Sequence, residues 1–106
     1  MNKALFVVFK KADLTHEQCL GEWNGDRHIS LVRKISGLKK WVLNSVTSMP
    51  SETAPDGIAE LWFDNAQDLE QAMNSIEMAA AVEDAKRYLN MEKTYAPVVK
   101  EKTVIG

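Results

Sequence analysis

The chain has 106 residues and carries 13 Lys and Arg against 15 Asp and Glu, a formal net charge of -2. This length suits one hydrophobic core, so we expect a single domain over residues 1–106, and the mixed charges favour neither nucleic acid nor a membrane as a partner. The N-terminal apolar run at residues 4–9 is too short for a membrane span or a signal-peptide core. Cys19 is the single cysteine and cannot form an internal disulfide, which favours a cytoplasmic location.

Four segments have the composition of β-strands. Residues 4–10 are rich in Leu, Phe and Val, residues 38–48 alternate in polarity, and residues 58–63 are almost continuously apolar. The fourth segment, residues 93–105, contains Pro97, which cannot donate a backbone hydrogen bond and therefore predicts an edge or bulge position. Two prolines and an Asp-Gly pair predict a loop between the second and third strands.

The first helix is predicted over residues 16–35. Thr15 would be its N-cap, because Gln18 stands three residues later in the spacing of a capping box. Gly37 supplies the stop signal. The Asn-Gly-Asp sequence at residues 24–26 could break or kink this helix.

The second helix is predicted over residues 66–88, with an interruption near Asn74 and Ser75. The resulting order is strand, helix, strand, strand, helix, strand. This order predicts an α+β protein with the ferredoxin-like arrangement, in which both helices cover one face of a four-stranded antiparallel sheet.

Both faces of this sheet are expected to be apolar. In the first strand Leu5 and Val7 alternate with Phe6 and Val8, and the third strand is similar. Two helices can cover only one face, and monomers rarely expose a large contiguous apolar surface. The uncovered face therefore predicts an interface or a ligand cavity, and we favour a homodimer in which two sheets meet face to face.

Over residues 4–104 the sequence resembles the EthD family, within the dimeric α+β barrel superfamily. The most specific similarities are Trp23 followed by His28 and Leu31, and the run DGIAELWFD at residues 56–64. The resemblance implies a ferredoxin-like protomer that dimerises into an α+β barrel, a cavity between sheet and helices, and no dedicated cofactor. Superfamily members include lactone isomerases and cofactor-free oxygenases, so membership gives a broad substrate class and no particular reaction.

Three positions depart from the family pattern. Ser30 and Ser36 stand where the family often has prolines, which lets the first helix continue more easily. Trp41 stands where the family usually has tyrosine. The missing hydroxyl removes a possible acid or hydrogen-bond donor from any chemistry carried over through that position.

His28 is the first candidate for chemistry. Its position on the helical wheel is at the border of the buried face, where an imidazole could be a general acid or base for a carbonyl or phenol substrate. It could equally be a structural histidine bonded to a neighbouring strand or loop. His16, in the first helical turn, is expected to be solvated.

Glu60 is the second candidate, because it shares a strand face with Ile58 and Trp62 and so places a carboxylate among apolar groups. It could act as a base, or form a structural salt bridge with Arg27 or Lys40.

Five further side chains are candidates for ligand contact. Asn44 could donate a hydrogen bond to a ligand carbonyl, or be a structural amide near a turn. Trp23, Trp41, Trp62 and Tyr95 could line a flat hydrophobic pocket, although aromatic residues at such spacing commonly belong to the core.

No nucleotide, phosphate or nucleophile motif and no metal-ligand spacing is present in the sequence, so neither a metal nor a cofactor is expected. We therefore expect a cytoplasmic homodimer that binds a compact apolar, aromatic or lactone-like metabolite. Its expected activity is cofactor-independent proton transfer, such as an isomerisation in catabolism or secondary metabolism, with His28 as acid or base and Glu60 or Asn44 orienting the substrate. The alternatives are a non-catalytic ligand-binding or accessory protein, and an assembly module.

Overall fold

The computed structural model describes residues 2–106 and contains one four-stranded sheet. Its elements in chain order are β1 (Asn2–Val8), α1 (His16–Trp23), α2 (Asp26–Val32), β2 (Lys40–Ser45), β3 (Gly57–Phe63), α3 (Ala66–Met73), α4 (Ile76–Ala85) and β4 (Val98–Lys100).

The sheet is antiparallel throughout, with strand order β2-β3-β1-β4. This is the ferredoxin-like arrangement, and the predicted α+β fold class is confirmed. β4 is an edge strand, as Pro97 predicts, and it is much shorter than the segment 93–105 from which it was expected. β2 is also shorter than predicted, because the proline-containing loop follows soon after Ser45.

The first predicted helix is two helices, divided at Asn24 and Gly25. The Thr15–Gln18 capping box is present at the start of α1. Gly25 has an extended backbone and is the N-cap of α2, and a Cβ there would lie 3.0 Å from the carbonyl oxygen of Gly21. The break gives α2 its own direction, and the side chains that α2 buries are His28 and Val32.

The second predicted helix is interrupted where the sequence indicates. α3 ends before Asn74, and the Ser75 side chain accepts a hydrogen bond from the backbone of Met78 to begin α4. Residues 86–88, predicted as the end of the second helix, form a hydrogen-bonded turn after α4.

Strand alternation decides which side chains meet the helices. The inner face of the sheet, which packs on the helices, carries Ala4, Phe6 and Val8 from β1 and Ala59 and Leu61 from β3. The outer face carries the alternate set, and its register pairs Leu5 with Glu60, Val7 with Ile58, and both Lys3 and Lys40 with Trp62.

Candidate functional site

A cavity of about 160 Å³ lies between the inner face of the sheet and the helices. Its walls come from the sheet, from α2, from α4 and from the segment 89–96, which runs from the end of the α4 turn toward β4. The sheet wall is formed by Phe6, Val8, Trp41, Ala59 and Leu61, and the α4 wall by Met78, Ala81, Val82 and Ala85. Among residues 2–106, no Asp, Glu, Lys or Arg lines this cavity.

His28 is the one imidazole in the cavity wall, and it is only 8% exposed. Its ring meets Trp41 and Tyr88 edge-on, at centroid distances of 6.0 and 6.1 Å. Its Nδ1 atom is buried and has no hydrogen-bond partner within the described chain. A buried polar atom without a partner costs about 1–3 kcal/mol. A ligand that bonded this nitrogen would recover part of that free energy.

Burial lowers the pKa of His28 below its ordinary value of 6.5, because a charged imidazolium is poorly solvated there. The negative charge of Asp84 opposes this shift without overcoming it. His28 is therefore a neutral imidazole at pH 7, the protonation state that a general base needs.

Asp84 anchors a cluster of charges behind His28. Its Oδ1 accepts a hydrogen bond from Arg87 Nε at 2.9 Å and forms an ion pair with Arg27 Nε at 2.7 Å. Arg87 also contacts Glu22. Burial opposes ionisation of Asp84, but the hydrogen bond and charge of Arg87, together with the charge of Arg27, lower its pKa overall. Asp84 is thus a buried anion close to the imidazole.

Tyr88 completes the surroundings of His28. Its ring is 1% exposed, and its hydroxyl has no hydrogen-bond partner in the part of the chain that the structure describes. Asp84 and Tyr88 are not among the site residues predicted from the sequence, because an Asp in an Ala- and Glu-rich helix suggests a solvated position. The helical spacing from Ala81 to Asp84, Ala85 and Tyr88 was the available signal.

Three of the predicted aromatic residues, Trp23, Trp41 and Tyr95, line the cavity. Trp23 is 2% exposed, and its indole lies over Gly57, where a Cβ would come within 2.4 Å of the ring. Tyr95 also lines the cavity and is 58% exposed. The glycine at the start of β3 thus makes room for one wall of the cavity.

The other predicted site residues, Glu60, Asn44 and Trp62, are placed on the outer face, on the opposite side of the sheet from His28. The Glu60 carboxylate lies 3.9 Å from Lys3 Nζ, and Trp62 lies between the ammonium groups of Lys3 and Lys40 at 4.9 and 4.7 Å. Asn44 donates to the backbone carbonyl of Ile58. None of the three lines the cavity, so the structure does not bring them together with His28.

His16 is bonded rather than free in solvent, contrary to expectation. Its Nδ1 lies 2.6 Å from Asp56 Oδ1 and its Nε2 lies 2.9 Å from the carbonyl oxygen of Val46. A carboxylate oxygen and a carbonyl oxygen both accept hydrogen bonds, so these partners favour the charged imidazolium, in which both ring nitrogens donate. The hydrogen bond to Asp56 raises the pKa of His16 above 6.5. His16 therefore ties the start of α1 to the loop between β2 and β3.

Across residues 2–106, no cluster of three or more His, Cys, Asp or Glu side chains could hold a metal ion. No helix within the same residues has the length and apolar character needed to cross a membrane. What the cavity offers chemically is a single neutral imidazole in apolar surroundings, with a buried carboxylate nearby.

Several solved structures share this fold. An EthD family protein from Bacillus halodurans C-125 superposes with a TM-score of 0.76 at 23% identity, covering 96% of this chain and 100% of that one. A dimeric, ferredoxin-like protein of unknown function from Bacteroides fragilis has a TM-score of 0.72 at 17% identity, covering 94% and 95%. SnoaB, a cofactor-independent oxygenase from Streptomyces nogalater, has a TM-score of 0.63 at 7% identity, covering 97% and 96%. At these identities the similarity shows the fold alone.

No curated protein matches the sequence. The family model for the EthD domain, however, matches residues 11–92, which is most of the chain. This segment includes strands β2 and β3, which form part of the cavity wall, and all four helices, with His28 on α2. The chain therefore belongs to the EthD family.

Proposed function

We propose that this protein binds a compact apolar molecule in the cavity and catalyses a cofactor-independent proton transfer with His28 as the base. The observation that carries the proposal is the buried, neutral imidazole of His28, which lines an otherwise uncharged, apolar cavity. Its Nδ1 has no hydrogen-bond partner within residues 2–106. Ligand sites typically combine apolar walls with a small number of polar groups in this way. The proposal that no cofactor is needed is also supported by SnoaB, a protein of similar fold that is described as a cofactor-independent oxygenase.

In the proposed step, His28 takes a proton from the carbon next to a ligand carbonyl, leaving an enolate and an imidazolium. The same imidazolium returns the proton to another carbon, so a double bond changes position and no atom is gained or lost. The charge of Asp84 favours protonated His28, which lowers the cost of forming the ion pair in the cavity. Glu60 and Asn44 have no part in this step, because they lie across the sheet.

The test uses α-angelica lactone, a small lactone whose double bond moves into conjugation when a base shifts one proton. We expect the protein to accelerate this isomerisation, followed by absorbance of the conjugated product. A His28→Gln variant should lose activity by about 100-fold or more, as for other general bases. Glu60→Gln is the matched control and should retain activity. Binding of the lactone without acceleration would instead support the alternative, a non-catalytic carrier.

We also propose that the protein is a homodimer joined through the outer face of the sheet. Leu5, Val42 and Ile58 on that face are only partly buried in the single chain, and no helix within residues 2–106 covers them. Similar structures from Bacteroides fragilis and Thermobifida fusca are described as dimeric. In this arrangement Glu60, Asn44 and Trp62 would belong to the interface.

A cytoplasmic role in catabolism or secondary metabolism completes the proposal. Cys19, the single cysteine, is a free and buried thiol, and burial raises its pKa to about 11. Such a thiol is unreactive and suits a reducing compartment. Fractionation of the source cells would test the location.

A further inference from the structure

We propose that the ligand of this cavity is a neutral molecule with a single ring and one hydrogen-bonding substituent directed at His28. This inference rests on the proposed function and narrows it to a size and charge class. It excludes fused-ring compounds and carboxylates as preferred ligands.

The size limit follows from the volume. An apolar cavity of about 150 Å³ accommodates benzene, and this one measures about 160 Å³. Ala59 on β3 and Ala81 and Ala85 on α4 line this space, three positions where the wall carries only a methyl group. A space of this volume holds one flat ring, and a second fused ring would have to extend beyond it.

The expectation of a neutral ligand follows from the charged side chains around the cavity. Its described lining includes no cation. The two nearby guanidinium groups, those of Arg27 and Arg87, do not line the cavity and form ion pairs with Asp84. An anionic ligand would lose its hydration without gaining a counter-ion, and the Asp84 charge would repel it. His28 lines the cavity wall, is only 8% exposed, and has an Nδ1 without a hydrogen-bond partner in the described chain.

The experiment compares three probes by calorimetric titration at pH 7: phenol, 2-naphthol and benzoate. Phenol should bind at least ten-fold more tightly than either of the others, because 2-naphthol adds a ring and benzoate adds a charge. Imidazole signals in NMR spectra show where phenol binds. Phenol should shift the signals of His28 and leave those of His16 unchanged.

Two wall variants test the volume argument. Ala85→Leu should abolish phenol binding by filling the cavity, whereas Ala80→Leu, at an exposed position on the same helix, should not change it. Met78→Ala should enlarge the cavity and increase the affinity for 2-naphthol by ten-fold or more, which keeps the test decisive if Ala85→Leu does not fold.

The binding results distinguish failure of this inference about the ligand from failure of the proposed function. Equal or tighter binding of 2-naphthol or benzoate to the unaltered protein would overturn this inference and leave the proposed function standing. Failure of all three probes to bind would overturn both. Phenol binding that shifts His16 and not His28 would also refute the inference, because the ligand would then lie elsewhere.

Discussion

His16 and His28 are the two histidines of the chain, and their surroundings shift their pKa values in opposite directions. His16 donates to a carboxylate and a carbonyl, which favours its charged form, whereas His28 is enclosed by apolar and aromatic side chains, which favours its neutral form. We expect an NMR titration to show one imidazole titrating above pH 6.5 and the other below. His16→Gln should remove the higher transition, and two transitions at the same pH would contradict the structure.

The two shifts also have opposite effects on the free energy of unfolding. A raised pKa in the folded state means that the His16 contribution is fully present below pH 6.5 and is lost as the pH rises through the folded-state pKa. A lowered pKa means that His28 destabilises the fold as the pH falls below 6.5, because the unfolded chain takes up the proton first. Urea unfolding across this range should therefore show a smaller difference between His16→Gln and the unaltered protein at alkaline pH.

Asp84 provides a second prediction at the level of single residues. Asp84→Asn removes the negative charge that forms ion pairs with Arg27 and Arg87. We therefore expect a loss of about 1–3 kcal/mol in the free energy of unfolding, measured with urea. The pKa of His28 should fall further, because the opposing charge is gone. Glu83→Gln is the control, since Glu83 is exposed and contacts only Lys86, and it should change stability by less than about 0.5 kcal/mol. An unchanged His28 titration in Asp84→Asn would contradict the proposed electrostatic role.

Part of the candidate site could be predicted from sequence. Trp23, His28, Trp41 and Tyr95 line one cavity, whereas Glu60 lies across the sheet with Asn44 and Trp62. Strand alternation correctly placed Glu60 and Trp62 on one face. It could not decide which face meets the helices, because both alternate sets are apolar. Lys3 and Lys40, in register with Trp62, were the available sign that this face is the outer one.

At the scale of elements, we expect the break between α1 and α2 to depend on Gly25. Comparing substitutions at Gly25 and Gly21 tests this dependence. A Cβ at Gly25 would lie 3.0 and 3.1 Å from two carbonyl oxygens of α1, whereas a Cβ at Gly21 meets nothing within 4 Å. We expect Gly21→Ala to stabilise the protein by up to about 1 kcal/mol, through its better helix propensity. Gly25→Ala should destabilise it, and equal thermal shifts for both variants would refute this account.

The existence and order of the elements were predictable, because they depend on local signals such as the capping box at Thr15 and the Asn-Ser pair before α4. The ends of β2 and the brevity of β4 were not. Strand length depends on how far a partner strand runs alongside, and β1 pairs with β4 through only three of its residues. That is a tertiary property, which local composition does not encode.

At the scale of the whole molecule, the proposed dimer gives a prediction about the outer face. Ile58→Asp places a charge on that face and should convert the dimer to monomers in sedimentation experiments. Ile76→Asp is the matched control, since Ile76 is 83% exposed at the start of α4, and it should leave the mass unchanged. A monomer for the unaltered protein at micromolar concentration would disprove the dimer itself.

β1 contributes to both faces of the sheet at once. Phe6 and Val8 line the cavity, whereas Val7 points to the outer face and exchanges backbone hydrogen bonds with Tyr95, which also lines the cavity. A ligand that shifts Tyr95 must therefore also act on the surface proposed to join two protomers. By thermodynamic linkage the effect is reciprocal, so ligand affinity should vary with protein concentration. If dimerisation changes the ligand affinity of each protomer by some factor, a saturating ligand should change the dissociation constant of the dimer by the square of that factor, because each dimer binds two ligands.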